Sequence, residues 1–101
     1  MFGIFSKVNS ISTDELSQEI KNGGQVIDVR EPYEFNRGHI IGARNIPLGQ
    51  IDSISLAQDK KYFVICQSGM RSRKAYKILR KKGINVTNIN GGMLAWKGKT
   101  K

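Results

Sequence analysis

Residues 62–73 read YFVICQSGMRSR, and the chemistry of the chain gathers there. An apolar run ends on Cys66, the only cysteine, and Ser68, Gly69, Arg71 and Ser72 follow within six residues. If a helix starts near Met70, residues Gln67 to Ser72 present successive backbone N–H groups around the position of the Cys66 sulfur. Such a nest at a helix N-terminus binds anions and favours thiolate over thiol. Arg71 and Arg73 would stand in the first helical turn, where cations oppose the macrodipole; that local cost points to service of a site. The plainer reading of Cys66 is a small buried hydrophobe at a strand end. Gly69 meets a backbone requirement under either reading, Gln67 need supply only its N–H, and Ser68 and Ser72 can cap the helix or touch a substrate.

The elements around this loop follow from local pattern. Ser12 can cap a helix over 13–21, with Glu15 completing the box and Leu16 and Ile20 on one face. QVIDV (25–29) is short, apolar and β-branched, and reads as a strand. Pro32 suits the first position of a short helix in PYEFNR, a brief strand is expected near 43–46, and 48–58 is weakly patterned. KYFVIC is continuously apolar, as a strand covered on both faces would be. Ala75, Ile78, Leu79 and Lys82 then recur at helical spacing up to Gly83, NVTNI makes a last strand, and GGMLAWKG gives a turn with a short helix. Alternating strands and helices imply a parallel sheet with helices on both faces, a small doubly wound α/β domain. Ligands of such sheets lie beyond the carboxyl ends of the strands, where Cys66 sits.

Composition limits the alternatives. The 101 residues, 39% of them hydrophobic, fit one domain over 1–101 with a modest core and a frayed basic tail at 97–101. No apolar stretch approaches the roughly 20 residues of a membrane span, MFGIF is too short for a secretory signal, and the cytoplasm is the default compartment. One cysteine and one histidine build neither an intramolecular disulfide nor a structural zinc site, so no metal and no cofactor are expected. The net charge of +9 is uneven: residues 1–50 hold five Lys/Arg against six Asp/Glu, and residues 51–101 hold twelve against two. A solvated helix face accounts for this, and so does attraction of small anions or of an acidic protein partner through Lys77, Arg80, Lys81 and Lys82. Aromatic residues are not interleaved with the basic ones, which argues against nucleic acid.

Four stretches in order, DVREPYEF (28–35), GHIIGARNIP (38–47), VICQSGMRS (64–72) and NINGGMLAW (88–96), resemble the rhodanese family of sulfurtransferases. The third is similar to that family's active-site loop, C-x-x-G-x-R-S, without a mismatch. Ile41 departs from the pattern where the family usually has proline. The resemblance implies a mainly parallel five-stranded sheet and a Cys66 that takes sulfane sulfur from a small anionic donor such as thiosulfate, holds it as a persulfide and yields it to a thiol or cyanide. It also implies that Arg71 orients the donor and that Asp28 and Arg30 form a supporting pair, holding the loop or each other; a salt-bridged strand junction is the plainer role. His39 is expected to be a hydrogen-bonded structural residue rather than a base, and Met93 and Trp96 core or rim packing.

Three rivals remain. A cysteine phosphatase or arsenate reductase shares the fold, but Cys66 and Arg71 enclose four residues where those phosphatases enclose five, and no general acid is evident. A non-catalytic binding module is a second, since fold does not fix function. A persulfide carrier that passes sulfur to a protein partner is a third.

Overall fold

The computed structural model describes residues 7–101, so the reading of MFGIF falls outside the described residues. In chain order the elements are β1 (Ser10–Ile11), α1 (Thr13–Lys21), β2 (Gln25–Asp28), α2 (Pro32–Asn36), β3 (Arg44–Asn45), a 3-10 turn (Leu48–Ser53), β4 (Lys61–Ile65), α3 (Met70–Lys81), β5 (Asn85–Ile89) and α4 (Gly92–Ala95). Every strand pairing is parallel, and the sheet order is β1-β5-β4-β2-β3. The expected α/β architecture is therefore present.

Local chemistry starts and stops these elements as the sequence predicts. The Ser12 hydroxyl accepts from the Glu15 N–H at 3.1 Å while the Glu15 carboxylate accepts from the Ser12 N–H at 3.0 Å, closing the capping box of α1. Pro32 opens α2, and Gly83, at a φ of 81°, follows the cap of α3. Two expectations need correction. The strand near 43–46 shrinks to two residues: Ile46 N–H on the Asp28 carbonyl closes the last regular rung, after which Leu48 N–H goes to the Val29 carbonyl, off the ladder register, and the Arg30 carbonyl is taken by the Asn45 side chain. Residues 97–101 do not fray: Thr100 bridges Ile40, and Lys101 and His39 exchange backbone hydrogen bonds.

Strand alternation sorts the core into two layers. Ile27, Val29, Tyr62, Val64, Cys66 and Val86 face Ala75, Tyr76 and Leu79 of α3 and Ile51 of the 3-10 turn. Val26, Phe63, Ile65 and Ile89 face Leu16 of α1, with Met93 and Trp96 packed at the margin. Both faces of β4 are thus covered, which explains its unbroken apolar run. Burying one such side chain, Leu16 for example, contributes about 2 kcal/mol.

Topology decides where a ligand could sit. The chain leaves β2 toward β3 on one side and leaves β4 toward β5 on the other, although β2 and β4 are neighbours, with Asp28 opposite Ile65. The connections diverge beyond that pair of strand ends and leave a crevice, the switch point of a doubly wound sheet. Asp28 and Arg30 stand on one lip and Cys66 on the other.

Candidate active site

Cys66 follows β4 directly, and its side chain is 1% exposed. The loop Gln67–Gly69 turns back over it before α3 begins, and two peptide groups aim at the sulfur: Gly69 N–H at 3.0 Å and Ser72 N–H at 3.3 Å. Ser72 Oγ lies 3.4 Å from Sγ and donates to the Gly69 carbonyl at 3.2 Å. Gly69 adopts φ 113° and ψ −13°, a left-handed conformation that glycine enters without strain and that turns its N–H inward. The predicted nest therefore exists, built from two N–H groups rather than all six. Peptide dipoles fixed on one sulfur stabilise negative charge there without reorganising.

The loop is held from behind by α4. Met93 N–H donates to the Cys66 carbonyl at 2.8 Å and Leu94 N–H to the Gln67 carbonyl at 3.1 Å. Gly92 permits this approach, since a Cβ there would collide with both carbonyl oxygens. With those carbonyls engaged behind, the loop's next N–H groups are free to face the sulfur.

Two ion pairs flank the loop. Arg30, 4% exposed, donates from Nε and Nη2 to Asp28, which is wholly buried, from Nη2 also to the Gly38 carbonyl, and from Nη1 to Gln67 Oε1 at 3.3 Å. Asn45 of β3 donates to the carbonyls of Asp28 and Arg30, fixing the strand end that carries the pair. Asp28 and Arg30 thus hold each other and the loop. The Gln67 side chain, for which the sequence indicated no role, is the receiving end.

Arg71 differs from expectation. Its guanidinium is engaged by Glu34, Nη1 to Oε1 at 2.6 Å and Nη2 to Oε2 at 2.9 Å, and Glu34 Oε1 also accepts from the Glu31 N–H at 2.9 Å. The hydrogen bonds from Arg71 hold the Glu34 carboxyl at a pKa of about 2, and the same bonds, with the charges of Glu34 and Cys66, push Arg71 further up. Glu34 is the site residue that sequence reasoning missed. Its signal was available inside DVREPYEF, as a first-turn acid of α2, but its partner lies 37 residues away. Two of the five guanidinium N–H groups are used by Glu34, which leaves Arg71 further donors.

The remaining candidates divide cleanly. Met70, 74% exposed, and Ser68 point outward and line a cavity of about 370 Å³ with Gly69, Arg73, Asn88 and Asn90. Neither serine caps α3; its cap is Gly69, and Ser72 lies buried inside the first turn. On the opposite side of the loop, Arg30, Tyr33, Glu34, Arg37, Gln67 and Met93 line a cavity of about 510 Å³. His39 stacks on Phe35 with centroids 3.6 Å apart and donates from Nδ1 to the Phe35 carbonyl, so it is structural, as expected. Exposed Ile41 occupies a turn beside Gly42 and makes no part of the cradle.

Comparison with known proteins shows the family and the fold. The model of the family described as Rhodanese-like domain matches residues 12–99. A Bacillus subtilis (strain 168) protein named "Putative sulfurtransferase YtwF" is 40% identical over 99 residues, covering 94% of this chain and 96% of that one. A second protein of that organism, "Uncharacterized protein YqhL", is 48% identical over 80 residues, 76% of this chain; the match spans 64% of that protein's length. The crystal structure of a rhodanese-related protein from Thermoplasma volcanium superimposes with a TM-score of 0.82 at 39% identity, covering 87% of this chain and 89% of that one. With its Cys66 cradle at the switch point of a parallel sheet, this chain belongs to the rhodanese family.

Proposed function

We propose that this protein is a sulfurtransferase that carries sulfane sulfur on Cys66. The observation that carries this reading is the pair of peptide N–H groups, from Gly69 and Ser72, converging on Sγ within a four-residue loop closed by Arg71. In the first step the Cys66 thiolate attacks the outer sulfur of thiosulfate; the bond between the two donor sulfurs breaks, and sulfite leaves with its electron pair. The product is a Cys66 persulfide anion, stabilised by the same N–H groups. In the second step a thiolate or cyanide attacks the terminal sulfur, and Cys66 leaves as thiolate. The cycle is redox-neutral and needs no cofactor.

The cavity of about 510 Å³ beside Gln67 suits the approach of a small anion, with Arg30 and Arg37 on its walls and Arg71 holding spare N–H donors nearby. The same site disfavours phosphoester hydrolysis. Glu34, the carboxyl nearest Arg71, is ionised far below neutrality and has no proton to give a leaving alkoxide.

Intact-mass measurement after thiosulfate treatment tests the reading. The wild type is expected to gain about one sulfur, roughly 32 Da, removable by dithiothreitol, while Cys66→Ser gains nothing. A folded wild type with a reactive thiol and no gain would reject thiosulfate as donor and return weight to a protein-delivered persulfide or a binding module.

A further inference from the structure

The surplus of positive charge in the second half is not evenly neutralised. Lys61 Nζ lies 3.6 Å from Glu19, Arg71 is held by Glu34, and Lys82, grouped by sequence with the helix cations, donates to the carbonyls of Asp52 and Ile54. Among the described residues most cations have no acidic partner, Lys7, Lys77, Arg80 and Lys81 among them, and residues 1–6 contain no acid; what sets these four apart is their placement. These four cations converge, with Asn9 and Tyr76, on a cavity of about 520 Å³ between α3 and the segment leading into β1. Arg80 is held in place there, its guanidinium carbon 5.8 Å from the centre of the buried Tyr76 ring. Stabilisation of the α3 C-terminus would account for Arg80 and Lys81, but not for Lys7 and Lys77 or for a concave wall without a carboxylate.

We propose that this groove docks a carboxylate-rich segment of the protein that exchanges sulfur with Cys66, an inference that rests on the sulfurtransferase reading above. The groove lies at the carbonyl end of α3, where no peptide N–H groups converge, so a single phosphate finds no cradle; cations spread on flexible stems suit several carboxylates at once. Single-stranded nucleic acid would need an exposed ring for stacking, and among the described residues the groove's one aromatic, Tyr76, is buried with Arg80 over it. Lys77 and Arg80 stand seven and ten residues beyond Met70, about 10–15 Å along the helix. Roughly four extended residues span that distance, so a partner held at the groove can present a thiol to the loop at the other end of α3.

The test separates docking from turnover. Binding of a fluorescent oligoglutamate peptide of about eight residues to the Cys66→Ser protein is followed by anisotropy at rising salt, with the matching oligoglutamine peptide as control. The acidic peptide is expected to bind and the neutral one not. Lys77→Gln/Arg80→Gln/Lys81→Gln should weaken binding about tenfold and flatten its salt dependence, while leaving thiosulfate-to-cyanide turnover in the Cys66-containing protein unchanged. Lys60→Gln/Lys97→Gln/Lys99→Gln removes as much charge elsewhere and should have little effect; equal weakening by this control would overturn the proposal. Absence of peptide binding, or tighter binding of oligouridylate through the same three residues, would overturn it too. Peptide binding without any turnover would instead count against the sulfurtransferase reading.

Discussion

The two arginine–carboxylate pairs beside the Cys66 loop have the same chemistry and opposite constructions. Asp28 and Arg30 are two residues apart at one strand end, almost fully buried, and every side of the guanidinium is occupied. Glu34 and Arg71 come from different helices, and their side chains are 18% and 34% exposed. A buried pair contributes little net stability when intact but is costly to break, because the survivor is left charged and dry. An exposed pair is cheap to open, since water takes over. The first pair is thus suited to fixing the strand end under the loop, and the second to presenting a cation that can change partners.

Breaking each pair measures that difference. Asp28→Ala strands Arg30 in the interior and should cost about 3–5 kcal/mol in urea denaturation, a large share of the 5–15 kcal/mol expected of a domain. A loss near 1 kcal/mol would mean that water reaches Arg30 and that the two pairs are alike. Glu34→Gln keeps the shape and removes the charge. Its expected stability cost is about 1 kcal/mol, and kcat/KM for thiosulfate should fall about tenfold, mostly through KM, as Arg71 loses its fixed position. A faster variant would show instead that Glu34 competes with the donor for Arg71.

A pH series sharpens the same contrast. The Glu34 carboxyl titrates near 2 in the folded chain and near 4.5 when unfolded, held down by its hydrogen bonds from Arg71. Because the folded value is depressed, the stabilisation is fully present above about pH 4.5 and is lost as pH falls toward about 2. The gap in stability between wild type and Glu34→Gln should be constant above the upper value and close below it; a gap that persists to pH 2 would assign the loss to packing. The smallest effect is expected at Gln67, where Arg30 makes its one contact with the loop side chain. Gln67→Ala should raise the iodoacetamide alkylation rate of Cys66 about threefold, since it removes a loop side chain that lines the larger of the two cavities beside the loop and frees the loop from Arg30.

How much of this was legible depends on the range of the interactions. Helix α1 could be read because Ser12 and Glu15 are three residues apart, and α3 because Ala75, Ile78, Leu79 and Lys82 recur at helical spacing before Gly83 stops it. Strand β1 could not be read: two residues carry no period, and only the neighbouring β5, through Asn88 and Ile89, makes them a strand. The 3-10 turn at Leu48–Ser53 was equally silent, since its anchor is Ile51 in a core assembled elsewhere. In the site, Cys66, Gly69 and Ser72 stood within seven consecutive residues and declared an anion cradle. Glu34 did not declare itself, and neither did the packing of Gly92 against the loop carbonyls.

The sequence by itself determined the nucleophile, the loop that surrounds it and the strand and helix that deliver it, because those interactions close over a few residues and obey local backbone rules. It also determined the amount of positive charge, but not its use. Only the tertiary structure decided that Lys82 is tied to a neighbouring loop while Lys77, Arg80 and Lys81 share a groove with Lys7. It likewise decided that Arg71 faces Glu34 and that Gly92 supports the cradle. The physical reason is the same in each case: these partners are brought together by the order of strands in the sheet, and short-range spacing carries no information about which strand lies next to which.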